Sequence, residues 1–110
     1  MTIQDIINAN FFTLKVPGDC GRTVSKPFCC DLLSIAMSKA PADSVWVTVM
    51  GNRNTLAVAS LADVACIVLA EDVRLSEVDL ACAREQGLTV FETEMPVFDA
   101  ALLVSKLGAS

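Results

Sequence analysis

The segment Gly51-Asn52-Arg53-Asn54-Thr55 places a permissive backbone position, two carboxamides, a fixed cation and a hydroxyl in five consecutive residues. Gly51 lets a ligand approach the main chain, Asn52 and Asn54 each offer amide donors and an acceptor, and the Arg53 guanidinium is permanently charged. Such a turn can hold an anion or a nucleotide. The alternative is structural, because Asn commonly caps a turn or the helix that follows it. Other chemistry is sparse. The chain has no His, which removes the commonest general base and any imidazole metal ligand. It lacks the G-x-x-x-x-G-K-[ST] phosphate loop, the G-x-G-x-x-G turn and the G-x-S-x-G elbow. The carboxylates Asp31, Asp63, Glu71, Asp72 and Glu94 are scattered along the sequence with no spacing that pairs them for acid–base work. The expectation is a chain without enzymatic activity, metal or cofactor.

Five cysteines, Cys20, Cys29, Cys30, Cys66 and Cys82, are an odd number without a secretory signal, which fits reduced thiols better than a disulfide framework. Only Cys29 and Cys30 are close, as direct neighbours rather than the C-x2-C spacing of a metal site. Cys66 and Cys82 lie in apolar patterns and are expected in the core. Cys20, between Asp19 and Gly21, is the thiol expected at the surface.

Composition sets the frame around these residues. The 110 residues suit one domain, and 54% hydrophobic against 19% charged residues give it ample core material. A net charge of −5 argues against nucleic acid and anionic lipid, which need clustered Lys and Arg. No apolar run reaches the roughly 18 residues of a membrane span, and the start has no basic signal-peptide region. A cytoplasmic location is expected.

Local patterns then assign the elements that must position the turn. Ile3, Ile6 and Ile7 recur at helical spacing after Thr2, an available cap. Phe11–Val16 reads as a strand, and Pro17–Lys26 as a loop and a first candidate functional surface. A helix is expected over Phe28–Ala40, with Leu33, Ala36, Met37 and Ala40 on one face and Leu32 and Ile35 widening it. Val45–Met50 and Ala65–Leu69 read as strands buried on both faces. Between them, Thr55–Leu61 fits a crossover helix, with a strand over Ala57–Ala59 as the alternative. Ser76 and Asp79 form an S-x-x-D box opening a helix that carries Val78, Ala81 and Cys82 inward and closes at Gly87. Leu88–Phe91 is the next strand. A final helix follows Thr93, Glu94 and Pro96, packs by Phe98, Ala101, Leu102 and Leu103, and ends before Gly108. This order predicts an α/β fold with a small, mostly parallel sheet of about four strands flanked by helices. Ligands of such sheets sit beyond the strand carboxyl ends. Three segments fall there: Gly51–Thr55, Ala70-Glu71-Asp72 and Glu92-Thr93-Glu94. Trp46 is either core or a contact residue for a ligand or partner.

The stretches Cys30-Asp31-Leu32-Leu33-Ser34, Trp46 through Leu61, Ala65-Cys66-Ile67-Val68-Leu69 and Ala83 through Val90 together resemble the DRTGG domain family, from about Cys30 onward. The motif that names that family falls on Asn52-Arg53-Asn54-Thr55. Arg53 alone matches it; Asn52 stands where the motif has Asp, and no Gly-Gly pair follows. The family is similar to the N-terminal domain of HPr kinase/phosphorylase, and the absent phosphate loop argues against a kinase activity here. The resemblance implies a single small α/β module over 1–110, non-catalytic and homodimeric, that serves regulation or ligand sensing beside a protein partner. Stand-alone members look like small proteins encoded near iron-only hydrogenases and sensor kinases of anaerobic bacteria. A dimer also suits the apolar surplus: Trp46, the Ile-rich N-terminal segment and the wide face of Phe28–Ala40 exceed what one small sheet needs.

Overall fold

A computed structural model describes residues 1–109. Its centre is three strands buried at every position, β3 (Val45–Thr48), β4 (Cys66–Leu69) and β5 (Thr89–Glu92). β-Branched residues dominate them, which suits strands covered on both faces. They run parallel in register, with Val47 beside Val68 and Val68 beside Phe91. Two outer strands complete the sheet: β1 (Thr13–Val16) pairs antiparallel with β5, and β2 (Pro27–Cys29) pairs parallel with β3, in the order β1-β5-β4-β3-β2.

Alternate side chains feed two cores. Trp46, Ile67, Leu69 and Val90 point to one face, under α2 (Leu33–Lys39), α3 (Arg53–Ala62) and α4 (Glu77–Gln86). Val45, Val47, Cys66, Val68 and Phe91 point to the other, under α1 (Ile3–Ala9) and α5 (Val97–Ala109). The α/β class and mostly parallel sheet match the sequence reading, and the strand count is five rather than about four.

The additional strand comes from the expected helix over Phe28–Ala40, which is shorter. Pro27, Phe28 and Cys29 form β2, and the helix begins at Leu33. Proline is tolerated here because it opens an edge strand. The link between the two is fixed by Trp46, whose Nε1–H donates to the Cys30 carbonyl at 2.9 Å. Residues 55–61, left open between helix and strand, are helical in α3.

Two helices turn a partly different face inward than expected: Ala101 is buried as expected and Leu103 is half-buried, while the bulkier expected positions point out. α4 packs by Leu80 and Ala83, and α5 by Ala100, Ala101 and Val104. Val78 lies two residues from Leu80, about 200° round the helix, and is exposed, as is Ala81; Cys82 is half-buried. Phe98 and Leu102 face outward for the same geometric reason. Small alanines let these helices lie close on the sheet, so the bulkiest residues are not the ones buried. Gly108 lies inside α5 rather than beyond it.

Thr2 caps α1 as expected, in a reciprocal box in which its hydroxyl accepts the Asp5 N–H and Asp5 accepts the Thr2 N–H. The loop over residues 17–26 is tied down at the amino ends of the strands. Gly18 N–H donates to Thr89 Oγ1 at 2.9 Å, the Ile3 and Gln4 amides donate to the carbonyls of Arg22 and Cys20, and Arg22 pairs with Asp43 and Asp63 at 2.8 and 3.0 Å. These bonds make it a structural connection. Cys20 is half-buried, and Cys29 is the exposed thiol.

Candidate functional site

The carboxyl ends of β2, β3, β4 and β5 gather at one end of the sheet, and all three segments named from the sequence lie there. The loop after β2 is built into the end of β3. Asp31 Oδ1 accepts the Thr48 hydroxyl at 2.7 Å and the Val49 N–H at 3.1 Å, while Thr48 Oγ1 accepts the Met50 N–H at 3.2 Å. Asp31 therefore organises this end of the molecule.

In the Gly51–Thr55 turn, the Asn52 carboxamide oxygen and Thr55 are used internally. Asn52 is the N-cap of α3, and its Oδ1 accepts the Thr55 N–H at 3.1 Å and lies 3.4 Å from the Thr55 hydroxyl. Thr55 is buried. Gly51 sits under the following loop, where an added Cβ would come within 2.6 Å of Val73 Cγ1. So the glycine serves close packing within the chain, and the capping alternative describes Asn52. Arg53 and Asn54 remain exposed, and their N–H groups, at the first two positions of α3, have no helical acceptor. Arg53 reaches Asp79 on α4 at 3.2 Å with 60% of its side chain still accessible, a pair that solvent weakens. Asn52→Ala is expected to cost about 1 kcal/mol of stability through loss of the cap, read as a lower urea midpoint with an unchanged slope.

The other two segments frame a cleft of about 460 Å³. Asp72 and Arg74 supply one wall, Glu92 to Met95 a second, and Phe11, Thr13 and Lys15 the third. β1 contributes because it pairs antiparallel with β5, setting Thr13 beside Glu92. Glu71 and Asp72 both take left-handed backbone angles, with φ of 58° and 62°. Such a conformation is unfavourable for Glu, whereas Asp adopts it more readily. The turn is held by their N–H groups, which donate to the carbonyls of Met95 and Thr93, both at 2.9 Å. Glu92 is 8% exposed, and its Oε2 accepts the Leu75 N–H at 3.2 Å. Arg74 pairs with Asp72 at 3.1 Å, and this bond raises its pKa. Sequence reasoning named the 70–72 and 92–94 segments but not Phe11, Lys15 or Arg74, which come together only through the pairing of β1 with β5.

Trp46 is fully buried in β3 and belongs to the core, as are Ile3 and Ile6 of the N-terminal segment. Among the described residues no group of three or more His, Cys, Asp or Glu side chains is placed to hold a metal, and no helix is long and apolar enough to cross a membrane.

No protein-family model matches the chain, and no curated protein matches it in sequence. Among solved structures, the chain is similar to the CBS and DRTGG domains of the regulatory region of Clostridium perfringens pyrophosphatase, crystallised with its activator diadenosine tetraphosphate. The TM-score is 0.77 at 11% identity over 96% of this chain. The likeness supports a DRTGG-like fold. The present chain spans 46% of that chain, just under half its length.

Proposed function

We propose that this chain is a non-catalytic regulatory module that works as a homodimer. The observation that carries the reading is the unpartnered end of the molecule at β2 and α2. Leu32, Ile35 and Met37 are 55%, 44% and 52% exposed there, three large apolar residues on or beside one seven-residue helix. β2 is an edge strand with a single partner, so its outer hydrogen-bonding side is open. Ile35 and Met37 flank buried Ala36 about 200° apart on α2, and a second copy would cover the free sheet edge together with the flank that carries Leu32 and Ile35. The similarity of fold to a pyrophosphatase regulatory region favours regulation over catalysis. A hydrogenase or sensor-kinase system is the setting implied by the family resemblance, and a cytoplasmic location goes with it. Ile35→Lys together with Met37→Lys should halve the mass measured by light scattering while the circular dichroism spectrum stays folded; an unchanged mass would place the contact elsewhere.

A second reading, that the chain senses a nucleotide or similar anion at Gly51–Thr55, draws on two observations. The neighbouring fold was crystallised with a nucleotide activator, and Arg53 and Asn54 stand exposed at the N-terminus of a ten-residue helix beyond β3. Calorimetry with adenine mono-, di- and triphosphates should give heat for the intact chain and at least about tenfold weaker binding for Arg53→Ala. Absence of heat with every nucleotide would remove this reading and leave the dimeric module standing.

A further inference from the structure

The cleft between β1, β5 and the loop after β4 is distinct from the Gly51–Thr55 turn, and its chemistry is different. Its volume, about 460 Å³, falls in the range of roughly 300–1,000 Å³ typical of small-molecule sites. Two cations, Lys15 and Arg74, face three carboxylates, Asp72, Glu92 and Glu94. Arg74 pairs with Asp72 at 3.1 Å in a solvent-exposed contact. Lys15 makes no ion pair among the described residues. On the neighbouring strand Glu92 is 8% exposed, and among the described residues only its Oε2 has a protein donor, the Leu75 N–H. Its second oxygen meets no donor among the described residues. That second oxygen is open to the cleft rather than sealed in the core, so it is free to accept from a ligand, and a charged donor gives the strongest bond.

We propose that this cleft binds a free amino acid, with the ligand's ammonium on Glu92 and Glu94, its carboxylate on Lys15, and an apolar side chain against Phe11 and Met95. The lining selects this class on charge. A polyphosphate would bring several negative charges to a surface where acids outnumber bases, whereas a zwitterion presents one charge of each sign to the matching wall. Phe11 is half-buried and packs edge-on against Phe12, with ring centroids 6.1 Å apart, so it offers a fixed apolar wall. The Glu71-Asp72 turn, bonded to Thr93 and Met95, holds two of the walls together.

The test is calorimetry of the full chain with each of the twenty L-amino acids, followed by the N-acetylated and C-amidated derivatives of the best binder. At least one apolar amino acid should bind saturably, and acetylation or amidation should each weaken it about tenfold or more. Lys15→Ala, at an exposed position that does not carry the fold, should weaken binding to a similar degree. Glu92→Gln should do the same if it folds, as checked by its melting curve. Arg53→Ala should leave binding unchanged, which separates this site from the nucleotide reading. Failure of all twenty amino acids to bind would overturn the proposal. So would equal binding of the acetylated ligand, or wild-type affinity in Lys15→Ala.

Discussion

Trp46→Ala is expected to remove about 3–5 kcal/mol of folding stability, a large part of the roughly 5–15 kcal/mol that a domain possesses. Trp46 is the only Trp in the chain and is fully buried in the central part of the sheet, under the helices of the first core. Truncation would leave a cavity that the β-sheet backbone cannot close. It would also strip the Cys30 carbonyl of its donor at 2.9 Å. That bond holds the link between β2 and α2, so the loss reaches the β2 edge as well as the core. Trp46→Phe separates the two effects: it keeps most of the bulk and loses the hydrogen bond, and should cost about 1–3 kcal/mol. Urea unfolding followed by far-ultraviolet circular dichroism measures both. A Trp46→Ala variant within about 1 kcal/mol of the parent would contradict the packing described here.

Raising the pH should destabilise the fold through Cys66. Burial in β4 pushes this thiol from an ordinary value of 9.0 up to about 12, partly opposed by the charge of Arg22. Below pH 9 the thiol is neutral in the folded and unfolded chains and its ionisation has no effect. Above that, the unfolded thiol ionises while the buried one holds its proton, so the unfolded state binds fewer protons and stability falls. The loss grows until the folded thiol ionises near 12, reaching about 4 kcal/mol for a shift of this size. The chain has no Tyr, so no phenol contributes to the alkaline titration. Denaturant unfolding from about pH 8 to about pH 11 should therefore show a downward slope that Cys66→Ala reduces. Equal slopes in parent and variant would mean that Cys66 is accessible to solvent.

The fold was most legible where every residue of an element met the same demand. Val45–Thr48 and Cys66–Leu69 are apolar or β-branched without a break, and both are buried at every position. Caps were equally clear, since Thr2 with Asp5, and Ser76 with Asp79, place side-chain acceptors at fixed distances from the amides they satisfy. Helix faces were harder. The stripe on α5 runs through Ala100, Ala101 and Val104, while Phe98 and Leu102 carry more apolar surface and point out. Side-chain size favours the wrong face when a close helix–sheet approach selects alanine. The short strand β2 was hidden because Phe28 also fits the helical spacing of the residues after it.

The site divides in the same way. Arg53 and Asn52 stood out by type, yet whether Asn52 binds a ligand or caps a helix depends on where α3 begins, and that lies in its backbone angles. The second cleft needs residues eighty positions apart in the chain, Phe11 and Lys15 against Glu92 to Met95. Only the antiparallel return of β1 beside β5 joins them. No local period contains that pairing. The apolar surplus noticed in the composition is also resolved by the fold. Trp46, Ile3 and Ile6 are consumed by the two cores, and the remainder that reaches the surface is divided among Leu32, Ile35 and Met37 beside β2, Leu61 and Val78 on α3 and α4, and Phe98 and Leu102 on α5.

The part of that remainder beside β2 is what a second copy of the chain would cover, and sedimentation equilibrium of the intact protein over a wide concentration range tests this directly. The expected result is a mass of twice 11.7 kDa that dissociates only on strong dilution. A single species at 11.7 kDa up to the highest attainable concentration would contradict it.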